Sequence, residues 1–282
     1  SFTSASGYTS QTSPYTFAFR TSNAVTITAN VEANTYEISY NPNGGTGGIS
    51  ATTATYDKAT LISDGAEFSR TGYHFVGWTT EENGTVSKVT PVNGEEDITD
   101  SGLYSYGGNY YAFNLTTGTP ITLYAVWEAN TYTINFDERG GSDMTAIPNV
   151  RYDATEEIVV SSTKAGYEFA GFSLTDGNID ETQTITSIEG YNSLAEYLIG
   201  TGRGRGIYEY DGRYYAFNLA TGDTTNTSAT VDILWSAVDT TYYVEYYLEK
   251  LDGTFALDTD ASFTEEGLLF TTHTNVANDG ID

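Results

Sequence analysis

Gly72-Tyr73-His74-Phe75-Val76-Gly77-Trp78 is the stretch that decides the fold. Its aromatic residues alternate with other residue types, as in a strand with one buried face. Its glycines mark places where a strand begins, bends or approaches another backbone. The pattern returns as Gly166-Tyr167-Glu168-Phe169-Ala170-Gly171-Phe172. Because a short aromatic strand is unstable alone, we expect the residues around each copy to cover it.

The residues on either side of this strand are duplicated as well. Each copy is preceded by an alternating strand that runs into glycines, and is followed by an aromatic hairpin and a closing strand. Repetition at this length indicates a tandem array. We therefore divide the chain into the closing strands of a preceding repeat (residues 1–33), module 1 (34–129), module 2 (130–239) and the start of a third module (240–282).

The patterns inside the two modules predict mostly strands. In module 1 they predict a first strand over residues 35–40, a hairpin over 103–113 and a closing strand over 121–127. The module 1 hairpin has Gly107-Gly108 at its turn, and module 2 repeats the hairpin over 207–217 with Asp-Gly at its turn. The polar insertion before that hairpin carries apolar residues at helical spacing between 188 and 199, which predicts a short helix.

Composition and charge exclude several classes of protein. With 38 Asp and Glu against 11 Lys and Arg, the formal net charge is −27, which disfavours nucleic acid and anionic lipid as partners. The absence of cysteine excludes disulfides and thiolate metal sites. No apolar run is long enough to span a membrane. The first residues lack the regions of a signal peptide, so we expect the chain to be a piece of something longer.

The titratable residues do not form a catalytic motif. His74 has Glu168 as its counterpart in the second copy, so that position tolerates different chemistry, and no metalloprotease, zinc or phosphate-loop motif occurs. No two of the acids are singled out as a hydrolytic pair. We therefore predict a protein that is not an enzyme, with no catalytic residues and no cofactor.

One segment carries oxygen ligands at the spacing of a calcium loop. Asp176, Asn178 and Asp180 stand at alternate positions, as in such a loop. The glycine and the terminal glutamate of that loop are replaced by Glu181 and Ser187. Two interpretations remain open here: an exposed acidic turn, or a calcium site.

The aromatic hairpins also leave two interpretations open. Residues 103–118 and 207–222 resemble each other closely and are rich in tyrosine. Exposed tyrosine-rich strands bind sugars or proteins. Alternatively, the hairpins pack against a helix of their own module.

Three motifs in a fixed order resemble the internalin B-type B-repeat, also called the Listeria–Bacteroides repeat. They are Asn43-Gly44-Gly45 after the first strand, the strand Gly72 to Trp78, and a closing strand that ends in Trp127. Module 2 departs from the pattern with Arg139-Gly140-Gly141, with Phe172 in place of a tryptophan, and with Ile233-Leu234-Trp235. Residues 242–255 resemble the start of a mucin-binding-protein-type domain.

The resemblance implies an α+β, mainly β fold of tandem β-grasp-like modules, each a small twisted sheet with a short helix. It also implies a secreted chain at the bacterial cell surface or cell wall, acting as a stalk or adhesin segment. Its partners would be a protein or glycan of a host or neighbouring cell, or copies of itself. Two alternatives are a head-to-tail, strand-complemented filament subunit and a carbohydrate-binding accessory of a secreted glycan-processing enzyme.

The aromatic residues of the motifs are expected to form the cores of the two modules. We expect Tyr73, Phe75, Trp78 and Trp127 to form the core of module 1, and Tyr167, Phe169, Phe172 and Trp235 to form that of module 2. The glycines of the motifs, namely Gly44, Gly45, Gly72, Gly77, Gly166 and Gly171, are expected to serve the backbone.

Overall fold

A computed structural model of the chain describes residues 8–10, 31–174 and 182–268. The chain divides into two compact units between Asn130 and Thr131. The four segment boundaries given above remain predictions, since each unit contains more than one predicted segment. The mainly β class is confirmed, because the described residues are mostly strand and hold one α-helix. The β-grasp-like topology remains a prediction.

The strands of the first unit are numbered in chain order. They are β1 (Tyr8–Ser10), β2 (Val31–Ala33), β3 (Thr35–Asn41), β4 (Thr46–Gly47), β5 (Thr52–Thr55), β6 (Thr60–Ile62), β7 (Phe68–Ser69), β8 (Tyr73–Thr79), β9 (Val89–Pro91), β10 (Gly102–Tyr106), β11 (Asn109–Phe113) and β12 (Ile121–Ala129). The predicted first strand, hairpin and closing strand correspond to β3, to β10 with β11, and to β12. All three are confirmed.

The second unit repeats the order of the eight strands β3, β5, β6 and β8 to β12, and adds a helix and a long hairpin. Its elements are β13 (Thr131–Asp137), β14 (Ile147–Arg151), β15 (Thr155–Ile158), β16 (Tyr167–Leu174), β17 (Gln183–Ile185), α1 (Leu194–Gly200), β18 (Gly206–Tyr210), β19 (Arg213–Phe217), β20 (Ser228–Ala237), β21 (Asp239–Glu249) and β22 (Phe255–Leu268).

Each module is built from two four-stranded sheets. In module 1 the main sheet has the order β5-β3-β12-β8, and the hairpin sheet has the order β6-β11-β10-β9. In module 2 the main sheet is β14-β13-β20-β16 and the hairpin sheet is β15-β19-β18-β17. The directions agree strand by strand: the first and closing strands pair in parallel in both main sheets. Module 1 also has a small two-stranded sheet of β4 and β7. Each module therefore holds more than one sheet, where the sequence predicted one.

A buried core joins the two sheets of each module. In module 1 it takes Ile38 and Leu123 from the main sheet and Leu103 and Ala112 from the hairpin sheet. The counterparts of these residues in module 2 form a separate cluster around Ile134, Val231, Ile207 and Ala216. Each module therefore buries its own apolar surface, which is the main favourable contribution to folding.

A bulge interrupts the aromatic strand of each module at the same place. Along β8, Phe75 pairs with Trp127 but Gly77 pairs with Val126, so Val76 is an extra residue. Ala170 is the extra residue on β16. Gly77 has φ 145°, and a Cβ there would lie 2.3 Å from the Ser87 hydroxyl, so only glycine fits.

The hairpin turns follow from their sequences. Gly107 and Gly108 have φ 56° and 80°, and Asp211 and Gly212 have φ 52° and 71°. Positive φ at both central residues defines the type I′ turn that matches the twist of two antiparallel strands. The prediction of a tight turn in both hairpins is confirmed.

Helix α1 lies in the insertion where a helix was predicted, but it is shorter than the apolar pattern suggested. It begins after Ser193, whose side chain accepts a hydrogen bond from the Glu196 amide. Gly202, with φ 68°, ends it. In module 1 the corresponding connection holds a single 3-10 turn, Glu95–Asp97, so a helix in each module is not seen among the described residues.

After module 2 the chain forms a long two-stranded ribbon, in which β21 and β22 pair antiparallel. Its tip exposes large apolar side chains, including Tyr247, Leu248 and Phe255. The mucin-binding-type resemblance of this segment remains a prediction.

Candidate functional site

The glycine turn after the first strand is hydrogen-bonded to the closing tryptophan in both modules. The Trp127 indole Nε1 donates to the Pro42 carbonyl at 2.8 Å, and the Trp235 indole donates to the Glu138 carbonyl at 2.7 Å. The same carbonyls accept from the amides of Gly45 and Gly141. Each indole is thereby fixed against the turn, and no ligand is needed to satisfy its N–H.

The second glycine of each turn is required by this contact. A Cβ on Gly45 would lie 2.8 Å from the Trp127 ring, and one on Gly141 would lie 2.6 Å from the Trp235 ring. Both distances are below any normal carbon contact, so a side chain would push the turn off the indole. Gly45 and Gly141 therefore have a packing role.

A cation covers the first tyrosine of each aromatic strand. The Arg70 guanidinium lies 3.9 Å from the centre of the Tyr73 ring, and the Lys164 ammonium lies 4.4 Å from that of Tyr167. Cations favour the negative face of an aromatic ring. The sequence analysis did not predict these two cation–ring contacts, although each cation lies two residues before the first glycine of the aromatic-strand motif.

The predicted core residues divide into three groups. Trp78 and Phe172 are fully buried. Phe75, Trp127, Phe169 and Trp235 are half-buried and pack against the core clusters. The prediction was wrong for Tyr73 and Tyr167: both are half-buried beneath their cations and belong to neither cluster, because they lie at the end of the strand.

The first residue of the glycine turn differs between the modules. Asn43 donates to the carbonyls of Gly84 and Ala125 at 3.0 and 2.8 Å. Its counterpart Arg139 instead forms an ion pair with Asp232, a carboxylate that is almost fully buried. Both residues have φ near 50°, which Asn adopts more readily than Arg. The ion pair, which raises the pKa of the Arg139 guanidinium, accounts for the departure from the motif.

A reciprocal polar contact, missed from the sequence, holds each hairpin to its main sheet. The Asp57 amide donates to the Asn114 side chain at 2.6 Å, and the Asn114 side chain donates back to the Asp57 carboxylate at 2.8 Å. Asp153 and Asn218 repeat both distances. The signal available in the sequence was that each asparagine follows the same Tyr-Tyr-Ala-Phe.

The remaining sequence candidates do not come together as a site. The exposed His74 contacts Asn130 and Glu128 within its own compact unit, 2.8 and 3.7 Å away. Asp176, Asn178 and Asp180 lie outside the described residues, so the calcium hypothesis remains a prediction. Within the described part of the chain, no group of three His, Asp or Glu residues is placed to hold a metal ion, and no helix could cross a membrane.

The clearest candidate surface is the outer face of the hairpin sheet, the side turned away from the module core. In module 2 helix α1 covers it: Leu194 and Leu198 are buried with Tyr208 and Phe217 in one cluster. The interpretation that the hairpin packs against a helix of its own module is correct here. An ion pair lies at the edge of this face, where a guanidinium nitrogen of Arg213 is 3.0 Å from a carboxylate oxygen of Glu157.

In module 1 no α-helix of the described residues lies on the corresponding face, and the connection before β10 covers part of it: Tyr104 is 8% exposed, and Ile98 of that connection is 6% exposed. The connection from β9 to β10 spans residues 92–101, half the length of the connection over residues 186–205 that carries α1. Phe113 and Tyr111 are half-buried, Tyr106 is 39% exposed and Leu61 is 56% exposed. The Tyr104 hydroxyl donates to the Asp100 carbonyl, so the short connection ends against this face.

Comparison with known proteins identifies the repeated unit. The family described as the Listeria-Bacteroides repeat domain matches residues 36–104 and 132–192. The matched stretches begin in the first strands and include the glycine turn and the aromatic strand of each module. The match does not extend to the C-terminal ribbon.

Individual relatives resemble part of the chain. Two proteins of Evansella cellulosilytica that are named as membrane proteins, one of them Gly-rich, are 27% and 30% identical over 56% and 57% of this chain. The penton protein of human adenovirus A serotype 12 is 34% identical over 34% of it. The chain spans about a fifth of each relative, namely 17%, 21% and 23% of their lengths. No solved structure matches the chain. The family match falls once in each module, so each of the two modules resembles a Listeria–Bacteroides repeat.

Proposed function

We propose that the chain is a segment of a bacterial cell-surface protein in which tandem β modules space or present a binding region. The observation that carries this proposal is the duplication of one topology, with a separate buried core in each copy. A unit that buries its own apolar surface can be strung in series, as in other repeat proteins.

Two further observations support a place in the cell envelope. The family match includes part of both modules, and two relatives of similar sequence are named as membrane proteins. The net charge of −27 keeps such a segment soluble and repels neighbouring copies. We propose no catalytic role, since the repeated residues form glycine turns, aromatic contacts and polar links between strands.

The spacer role is tested by changing the number of modules. The chain would be displayed on a bacterial surface with an epitope tag at its outer end, with and without residues 131–238. Binding of antibody-coated beads to the tag should fall in the shortened version, because the tag is then closer to the cell wall. Equal bead binding by both versions would contradict the spacer role.

The filament alternative depends on the two ends of the chain. Residues 1–33 are described only at 8–10 and 31–33, where β1 and β2 pair with each other. Strand exchange between copies therefore remains a hypothesis. Electron microscopy of the full chain, and of a version without residues 1–30, would decide it, since filaments that persist without those residues cannot depend on them.

A further inference from the structure

The outer face of module 1, which the short connection covers around Tyr104 and which exposes Leu61 and Tyr106, has the composition of an interaction surface. It carries Leu61 on β6, Tyr104 and Tyr106 on β10, and Tyr111 and Phe113 on β11, which the strand register places side by side. Their neighbours Ile62, Leu103 and Ala112 point the other way, into the core. Tyrosine and other aromatic residues are enriched where proteins bind each other, and a contiguous apolar patch marks such sites.

Module 2 shows what fits this face. There Leu194 and Leu198 of α1, one helical turn apart, pack with Tyr208 and Phe217, which are each 1% exposed. Tyr104, the counterpart of Tyr208, is also buried, so the helix makes its difference at Phe217, whose counterpart Phe113 is only half-buried. The two hairpin sheets have the same strand order and the same turn type, so their outer faces have similar shapes. A short helix with two apolar residues one turn apart is therefore complementary to the part of this face around Phe113, Tyr106 and Leu61 that stays open in module 1.

The edge of the face differs in charge between the modules. In module 2, Glu157 and Arg213 form an ion pair beside the covered tyrosines. The strand register places Leu61 and Asn109 at these positions in module 1. Module 1 thus replaces a charged edge by an uncharged one that exposes a leucine, which extends the apolar area open to a partner.

The surroundings of this face in module 1 are anionic. Residues 89–130 contain no lysine or arginine. The short connection that ends against Tyr104 carries Glu95, Glu96, Asp97 and Asp100 within ten residues. A partner that buries the tyrosines would meet these carboxylates at the border, and basic side chains would satisfy them.

We propose that the outer face of module 1 binds an amphipathic helix of a partner protein, which carries two apolar residues one turn apart and basic residues beside them. This goes beyond the spacer role, because it gives one module of the array a ligand. Binding buries Leu61, Tyr106 and Phe113, of which Phe113 and Tyr106 have counterparts, Phe217 and Tyr210, that pack in the cluster with α1 in module 2.

The test is a titration of the full chain followed by nuclear magnetic resonance. The probe is a synthetic peptide with the sequence of residues 186–205 and the substitutions Glu189→Lys and Glu196→Lys, which give the helix a basic border. The amide signals of Leu61, Tyr106 and Tyr111 should shift as peptide is added. The peptide that keeps both glutamates should bind at least about threefold more weakly, and added salt should weaken the basic peptide.

A matched pair of variants locates the site. Leu61→Glu combined with Asn109→Arg transfers the ion pair of module 2 to module 1, and should weaken binding about tenfold or more. Unchanged signals from the core residues of module 1 would show that the variant is folded. Tyr247→Glu, at an equally exposed aromatic position on β21, should leave peptide binding unchanged.

Three outcomes would overturn the proposal. They are the absence of any shift with the basic peptide, shifts confined to other surfaces, and equal affinity in the Leu61→Glu, Asn109→Arg variant. A parallel titration with cellohexaose tests the sugar alternative. Shifts at Tyr106 and Tyr111 with the sugar and none with the peptide would reject a helix as the occupant.

Discussion

Modules 1 and 2 share every strand pairing of their main and hairpin sheets, yet they differ where those sheets meet solvent. Module 2 covers its hairpin sheet with α1 and uses an ion pair in its glycine turn. Module 1 has no α-helix of the described residues on the corresponding face, where Leu61 and Tyr106 stay exposed, and uses an asparagine in its turn. The topology therefore depends on the strands and their contacts. The connection between β9 and β10 in module 1, and between β17 and β18 in module 2, can change length without altering it.

The largest expected effect concerns the independence of the two cores. Trp78 is fully buried, and the centres of its ring and the Phe75 ring are 4.9 Å apart. Its indole N–H donates to the Ser63 carbonyl. Trp78→Ala should cost module 1 about 3–5 kcal/mol of unfolding free energy, enough to unfold a marginal module. Urea unfolding followed by tryptophan fluorescence measures this, since Trp235 is the sole tryptophan of module 2.

The matched substitution in module 2 is Phe172→Ala. It should shift the transition reported by Trp235 and leave that of module 1 in place, because the two cores share no residue. If either substitution moved both transitions equally, the modules would unfold as one unit and the comparison between them would lose its meaning.

The next effect separates the modules by pH. Burial raises the pKa of the Tyr132 hydroxyl to about 12. The hydrogen bond that this oxygen accepts from the Leu219 amide lowers the pKa, but by less than burial raises it. The unfolded tyrosine ionises near pH 10, so this stabilisation of module 2 is complete below pH 10 and is lost as the pH rises to about 12. Two pKa units correspond to about 2–3 kcal/mol.

Urea midpoints measured between pH 9 and 12 test this prediction, with Tyr132→Phe as the control. The variant should show a smaller loss of stability across that window, because it has no buried hydroxyl to ionise. Tyr36 in module 1 also has a raised pKa from burial, so Tyr36→Phe provides the comparison in the other module. An unchanged pH dependence in Tyr132→Phe would contradict the assignment.

The smallest effect tests the exchange of partners in the glycine turn. Arg139→Ala removes the cation that faces the buried Asp232 carboxylate, and should destabilise module 2 by about 1–3 kcal/mol. The counterpart of Asp232 in module 1 is Tyr124. The double substitution Arg139→Asn with Asp232→Tyr should therefore be less destabilising than the two single changes added together. Strict additivity of the two changes in unfolding measurements would show that the pair is not coupled.

Local patterns in the sequence were enough to predict the strands and turns. Alternation located β3, β8 and β12, and Gly-Gly and Asp-Gly located the hairpin turns. The division into two sheets was not predictable from these patterns, because it depends on which strands pair at long range. The family motif marked the aromatic strand and the glycine turn, but not what each residue contacts.

The misses in the candidate site have the same cause. Asp57 reaches Asn114, and Arg139 reaches Asp232, across large separations in sequence. Tyr73 obeys the alternation that places Phe75 against the core, yet Arg70 covers it at the end of the strand. Whether a helix covers the hairpin face depends on the length of a polar connection, and the alternation of apolar residues along the strands does not predict that length.

The bulge in the aromatic strand has a consequence for how this repeat can evolve. In a regular strand Phe75 and Trp78, three positions apart, would point to opposite faces, but the extra Val76 brings both rings into one core. Loss of a single residue there would turn the tryptophan out to solvent. We therefore expect insertions and deletions in the aromatic strand to prevent the module from folding. The connection before β10 or β18 is where copies of the repeat can lengthen, acquire a helix, and diverge in the surfaces they offer.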